Sequence, residues 1–282
     1  MAKKDDYQLT VGREEKSHLD GLQKVFGAAS QKFLASLGIK PNAHIVDIGC
    51  GAGHMACWLA QTIVPHGAVV AIDSSAEQLE VAQEQAKSLG IKNISFAKAS
   101  ATDLSAYKEQ FDLVYCRWML AHIANVKLAF TQLVQCVTVG GMLACEEPTS
   151  ANDSLVIYPE IPCLLQVFVY IRKLLQLKHA DPLVGYTIYR LAQQMPKLEV
   201  QLQISQSAII DKADYPKQLK ILLMSVKPAL LQNNIVSVNE INELAYQLDT
   251  IANPNDSVLL ASRMMQLWAI KHSPIEPKAP NR

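Results

Sequence analysis

The chain has 282 residues, half of them hydrophobic and 18% charged, so it can bury a sizeable core as one large domain or two small ones. Lys+Arg and Asp+Glu balance at 26 each, which argues against a broad nucleic-acid footprint, and no run of 18 uncharged apolar residues is present, so no membrane span is expected. The six cysteines, at 50, 57, 116, 136, 145 and 163, form no C-x-x-C pair and indicate neither a metal site nor a disulfide framework; without a signal-peptide stretch at the start, a reducing cytoplasm is the expected setting.

Residues 1 to 12 are polar and read as irregular, with Tyr7 just ahead of a helical pattern. From Glu14 to Leu37, Leu19, Leu22, Val25 and Phe26 and then Phe33, Leu34 and Leu37 recur at three- and four-residue steps. Gly38 is a C-cap candidate and Pro41 a stop, so residues 1–40 are expected to form an N-terminal helical segment. The stretch from His44 to Met55 follows, with Ile45, Val46 and Ile48 suited to a strand buried on both faces. Gly49, Gly51 and Gly53 then alternate, and an apolar helical run continues to Ile63. Glycine permits backbone angles closed to other residues and lets a ligand approach the main chain, while the free N–H groups of the helix start face it. The spacing is G-x-G-x-G, whereas a dinucleotide site requires G-x-G-x-x-G; His54 stands where that third glycine would be, and Asp47 lies two residues before the first.

Ala68 to Ile72 reads as a second strand ending in Asp73-Ser74-Ser75. Asp73 is 20 residues beyond Gly53, where an acid can accept from both hydroxyls of a ribose. NAD enzymes share that geometry, and helix capping by Asp73 or Ser74 is compatible with it. A helix over residues 76–89 and a third strand over 93–98 lead into Ala99-Ser100-Ala101-Thr102-Asp103. The fourth strand, Phe111 to Cys116, runs into Arg117-Trp118-Met119-Leu120-Ala121-His122. His122 is a candidate general base, because its intrinsic pKa is near working pH; a structural hydrogen bond is the plainer role. After a helix around residues 128–137, Gly140-Gly141 is expected to turn into a fifth strand, Met142 to Cys145, closing on Glu146-Glu147-Pro148. Neighbouring strand residues face opposite ways, so one glutamate is expected to face the strand-end pocket; Glu147 is chosen, to bind an acceptor or hold His122, against the alternative of a solvated edge. Residues 151–195 carry an apolar helical run, Ile161 to Leu177, either a lid or a homodimer surface. A sixth strand (Lys197 to Ile210), helices over 215–231 and 238–248, and a final strand (Ser262 to Ile270) complete a unit over residues 196–272, with a Pro-rich tail over 273–282.

The run Asp47-Ile48-Gly49-Cys50-Gly51-Ala52-Gly53 resembles the cofactor-binding motif of class I S-adenosylmethionine-dependent methyltransferases. The resemblance is strongest over residues 41–148 and makes 41–150 the expected cofactor-binding core. It implies a doubly wound α/β sheet of seven mostly parallel strands with the last antiparallel, the Rossmann-like methyltransferase fold; the strand–helix alternation independently implies the doubly wound sheet. It also implies a site in which Asp47, Gly49, Gly51 and Gly53 shape the donor turn, Cys50 contributes backbone contacts and Asp73 holds the ribose. Ser74 and Gln78 would lie beside the adenosine, Ser100 and Ala101 would approach the adenine, and Cys116, Arg117 and Trp118 would wall the donor site, with Tyr7 folding over it. Ser100 stands where the family usually has Asp, leaving Asp103 as a substitute or a helix cap. The implied activity is methyl transfer from S-adenosylmethionine to a small-molecule acceptor, with His122 and Glu147 as catalytic candidates. A catalytically lapsed cofactor-binding scaffold and an NAD-dependent oxidoreductase are the alternatives. Nucleic-acid amino methylation is disfavoured, because Cys116-Arg117-Trp118-Met119 lacks the Asn/Asp-Pro-Pro-aromatic motif.

Overall fold

Branched apolar residues at consecutive positions build a sheet buried on both sides, as at Ile45, Val46 and Ile48, none more than 1% exposed. In the computed structural model, which describes residues 13–149, 154–177, 181, 183–251 and 254–273, seven strands form this sheet. They are β1 (His44–Ile48), β2 (Ala68–Asp73), β3 (Ile94–Lys98), β4 (Phe111–Arg117), β5 (Val137–Pro148), β7 (Leu198–Ser205) and β9 (Met264–Lys271). Their order is β3-β2-β1-β4-β5-β9-β7. The pairs among β1 to β5 are parallel, and β9 is antiparallel to both β5 and β7, so six strands share one direction. This is the doubly wound, mostly parallel sheet expected from the sequence.

Helices cover both faces. The C-terminal half of α1 (Arg13–Ser36), α2 (His54–Trp58) and α3 (Ala76–Ser88) bury Phe33, Leu34, Met55 and Leu79 against Ile45 and Leu113. On the opposite face α4 (Val126–Cys136) and α6 (Val184–Gln193) pack Phe130, Leu133 and Ile188 against Val46 and Leu143. A third apolar cluster joins α5 (Pro162–Leu177), α7 (Tyr215–Gln232) and α8 (Val238–Thr250) to Phe26 of α1. Ser75 and Asn125 cap α3 and α4 by accepting backbone N–H bonds, and Ser237 and Glu240 form a capping box at the start of α8. Among the described residues no helix is long and apolar enough to cross a membrane.

Three local features depart from the sequence reading. The helix after the glycine turn widens into a π-helical turn over Leu59–Ile63. Gly140 and Gly141 lie inside β5 rather than before it, with a register shift in its pairing between Phe111 and Leu113. A Cβ at Gly141 would stand 2.6 Å from Thr138 Oγ1, so the glycine permits the irregular crossing. A second sheet pairs β6 (Val156–Tyr158) with β8 (Val258–Leu260); both are three-residue strands and too short for a period to show. Tyr7, residues 150–153 and residues 274–282 of the tail lie outside the described residues.

Candidate active site

The glycine turn grows directly out of β1. Gly49 and Cys50 donate their N–H groups to the Ile72 carbonyl at the end of β2, at 2.7 and 3.0 Å. Gly49, Gly51 and Gly53 have φ of 74°, 51° and 79°, the left-handed region that glycine alone enters without cost. The side chain that a Cβ would meet differs at each: Met119 at 2.4 Å for Gly49, Leu19 of α1 at 3.2 Å for Gly51, and Ala82 of α3 at 2.9 Å for Gly53. Gly53 thus sets the close approach of α2 to α3, the service the third glycine performs in a dinucleotide site. Asp73 closes the turn from the other side, accepting from Gly51 N–H at 3.0 Å with Oδ2 and from Ser75 N–H at 2.9 Å with Oδ1. A carboxylate has about four acceptor positions, so capacity remains for two ligand hydroxyls. Burial raises the pKa of Asp73. Asp47, 3% exposed, is raised to about 7 by burial, opposed by the Arg117 guanidinium and reinforced by Asp73.

The exit of β4 supplies the second wall. Arg117 donates to Ser30 Oγ at 3.0 Å and Gln23 Oε1 at 2.8 Å, fastening α1 across the strand ends. A second fastening joins His54, in the first turn of α2, to Asp20 of α1 at 2.8 Å. Trp118 has φ 54° and packs its ring on Phe26, centroids 5.5 Å apart. The chain then turns through a single 3₁₀ turn, Leu120–His122. Glu147, fully buried, organises that turn: Oε1 accepts from the N–H groups of Met119 and Leu120 at 3.0 and 2.7 Å, and Oε2 from Ala121 at 3.4 Å. Burial raises its pKa to about 7 despite those bonds. Glu146 is committed elsewhere, accepting from Tyr115 Oη at 2.6 Å and Gln266 Nε2 at 2.8 Å.

These elements enclose one cavity of about 560 Å³. It brings together Asp47, Gly49, Cys50, Gly51, Asp73, Ser74, Gln78, Ser100, Ala101, Arg117, Trp118 and His122 of the residues anticipated from the sequence. Three anticipated residues do not line it. Gly53 acts through helix packing. Cys116 points away because strand side chains alternate: Tyr115 and Arg117 line the cavity, while Cys116 is buried in the core, in register with Cys145 of β5. Glu147 faces the backbone amides of Met119, Leu120 and Ala121, the turn that carries His122. Asp103 also lies outside the cavity, exposed and bonded by Ser105 Oγ, whereas Ser100 lines it with its hydroxyl 2.8 Å from Thr102 Oγ1.

Sequence reasoning missed the contribution of α1. Its stripe of Leu19, Leu22, Val25 and Phe26 was legible as a buried face, yet what it covers is the cavity, together with His18. The far end of the cavity is apolar, walled by Phe26, Phe168, Ile171, Leu219, Leu222 and Val226 from α1, α5 and α7. His18 and His122 line the same space, and burial lowers the pKa of each to about 4, so both imidazoles are neutral at pH 7; His122 adds to the effect on His18.

A seven-stranded sheet in this order, with one reversed strand and a three-glycine turn after β1, defines a class I S-adenosylmethionine-dependent methyltransferase, an enzyme whose methyl donor is S-adenosylmethionine. The chain belongs to the family described as methyltransferase domain, whose profile matches residues 39–180, from just before β1 to the end of α5. It is 23% identical over 225 residues to a demethylmenaquinone methyltransferase of Symbiobacterium thermophilum, covering 78% of this chain and 83% of that enzyme. The demethylmenaquinone methyltransferase of Staphylococcus aureus is 24% identical over 139 residues, and the match spans only 49% of this chain and 56% of that enzyme. In fold the chain is similar to the protein BH2331 of Bacillus halodurans (TM-score 0.59, 17% identity, 86% of this chain and 98% of that one). It is also similar in fold to phosphoethanolamine N-methyltransferase 2 of Haemonchus contortus, solved with phosphomonomethylethanolamine and S-adenosylhomocysteine (TM-score 0.54, 15% identity, 87% of this chain and 53% of that one).

Proposed function

We propose that the polar end of the cavity holds S-adenosylmethionine and the apolar end a small-molecule acceptor, so that methyl transfer occurs where the two meet. The observation that carries this reading is the continuity of the cavity from the glycine turn to the apolar wall of α1, α5 and α7. The donor supplies an electrophilic methyl group on a sulfonium. In this reading the two free acceptor positions of Asp73 take the ribose hydroxyls, and the glycine turn offers backbone without side chains. Ser74 and Gln78 flank the adenosine, and Ser100 and Ala101 border the adenine, with a hydroxyl in place of a carboxylate. Asp47 and Arg117 offer opposite charges to the amino-acid end of the donor. Cys50 contributes its backbone, and Trp118 and Met119 separate donor from acceptor. The protein's main task is alignment for in-line attack, to which proximity and orientation contribute heavily. His122 takes a proton only where the acceptor must lose one, and Glu147 positions it by fixing the turn.

The apolar stripe of α5 (Leu164, Val167, Tyr170 and Leu174) is buried against α7 and α8, and Phe168 and Ile171 border the cavity, which favours a roof over a homodimer surface for this segment. All six cysteines are free, in keeping with a reducing cytoplasm. The test is calorimetric titration with S-adenosylmethionine, S-adenosylhomocysteine and NAD, in parallel with Asp73→Ala. Binding of the first two, weakened at least tenfold in the variant, is expected. Binding of NAD alone would overturn the reading. Demethylmenaquinone, named for the sequence relatives, belongs in the acceptor panel that follows.

A further inference from the structure

Two hydroxyl side chains stand in the helical wall of the cavity. Tyr215 opens α7 and is 6% exposed, and Ser262, in the link between β8 and β9, is 7% exposed. Both line the cavity, and neither side chain is hydrogen-bonded to another of the described residues. Their neighbours fix where they lie. Tyr215 packs in the apolar cluster of Phe26, Leu219 and Leu223 that joins α1, α5, α7 and α8. Asp214, next to it in the chain, accepts from Lys24 of α1 at 3.2 Å, two residues before Phe26. Ala261 and Met264, flanking Ser262 in the chain, belong to the same cluster. Both residues are therefore part of the helical wall rather than of the glycine turn. The indole N–H of Trp118, whose ring packs on Phe26, is sealed from solvent without a partner. Tyr215 Oη and Ser262 Oγ, also without a protein partner, are not sealed in that way, so each opens onto the cavity.

The charged groups of the wall are already engaged. Asp181, just beyond α5, accepts from Leu183 N–H at 2.9 Å and from the Thr187 hydroxyl. Arg117 donates to Gln23 and Ser30, and the described lining residues include no lysine. A carboxylate or phosphate on the acceptor would be desolvated here without a free counter-charge, which is strongly unfavourable. We propose that Tyr215 and Ser262 are specificity-determining residues of the acceptor pocket, whose hydroxyls hydrogen-bond a hydroxyl or carbonyl oxygen of an uncharged, largely apolar acceptor. Burial raises the pKa of Tyr215, so its hydroxyl stays protonated and donates. Ser262 donates to a carbonyl, or accepts from a hydroxyl. The rest of the acceptor meets the apolar wall. This inference rests on the donor–acceptor reading of the cavity given above.

The test uses four probes of related ring system: 1-naphthol, 1-tetralone, naphthalene and 1-naphthoate. Each is titrated into the full chain saturated with S-adenosylhomocysteine, as wild type, Tyr215→Phe and Ser262→Ala. Wild type is expected to bind 1-naphthol or 1-tetralone about tenfold more tightly than naphthalene, and 1-naphthoate no more tightly than naphthalene. Which of the two oxygen probes is preferred tells a hydroxyl from a carbonyl acceptor. Tyr215→Phe removes one oxygen and keeps the ring, so it is expected to weaken the preferred probe about tenfold and to leave naphthalene within about twofold. Ser262→Ala is expected to weaken the same probe about threefold with naphthalene again unchanged. An unchanged ratio of oxygen probe to naphthalene in either variant, equal affinity of wild type for both, or preference for 1-naphthoate would overturn the proposal. So would failure of all four probes to bind a protein that binds S-adenosylhomocysteine. Failure to bind S-adenosylhomocysteine itself would instead strike the donor reading.

Discussion

Asp47 and Asp73 illustrate how burial sets the chemistry of single side chains. Asp47 titrates near 7 because it has lost water, and the Arg117 guanidinium only partly restores its charge. A folded-state pKa above the unfolded value means that the folded chain binds the extra proton between about pH 4 and 7. Asp47 therefore contributes less to stability as pH rises through that window. In the proposed donor site, where Asp47 faces the donor's cationic end, binding runs the other way, since it requires the ionised carboxylate. The affinity for S-adenosylhomocysteine is expected to fall about tenfold between pH 8 and pH 6, with Asp47→Asn weaker throughout and nearly flat; calorimetry across that range checks it. Gly53 is a backbone rather than a chemical residue. Alanine there must hold φ near 79° with its Cβ pressed on Ala82, 2.9 Å away. Gly53→Ala is expected to cost ~1–3 kcal/mol in denaturant unfolding, with donor affinity lowered as the turn shifts.

At the scale of elements, the turn after β4 depends on a carboxylate from β5. Three N–H groups of Met119, Leu120 and Ala121 converge on Glu147, and none has another route to a partner in a turn this short. Glu147→Ala leaves buried donors unpaired and is expected to destabilise by ~2–3 kcal/mol, measured by the unfolding midpoint. Glu147→Gln keeps one acceptor oxygen and is expected to lose less. Helix α1 shows a different kind of dependence. Its own periodicity makes it amphipathic, but its docking relies on His54–Asp20 and on Arg117 with Gln23 and Ser30. A motif residue, a strand-end residue and a helix thus form one support for the site.

Across the whole molecule, the sheet supplies a rigid floor and the helices α1, α5 and α7 supply the walls and roof. Cavity walls made by separate segments are held by fewer contacts than a central sheet and open more readily. Saturation with S-adenosylhomocysteine is expected to slow amide exchange in α1 around residues 18–26 and in the turn at 118–122, with β1 and β4 unchanged. Protection confined to the sheet would show that the helical walls take no part in binding. If the proposed function holds, one cavity holds donor and acceptor side by side, and alignment is the protein's main contribution.

The local pattern determined the order of strands and helices, the glycine turn and the acid at the end of β2, because each depends on near neighbours in the chain: branched runs make buried strands, and alternating glycines admit left-handed angles. The resemblance pointed to Ser100, and position after a strand end to Arg117, Trp118 and His122; all four line the cavity. Tertiary structure alone decided the rest. Whether Cys116 or its neighbours face the cavity depends on the phase of β4 within the sheet. The role of Glu147 depends on a turn 26 to 28 residues earlier in the chain coming to rest against it. His18 belongs to the site only because α1 folds back across the strand ends, a long-range docking that leaves no trace in its own period.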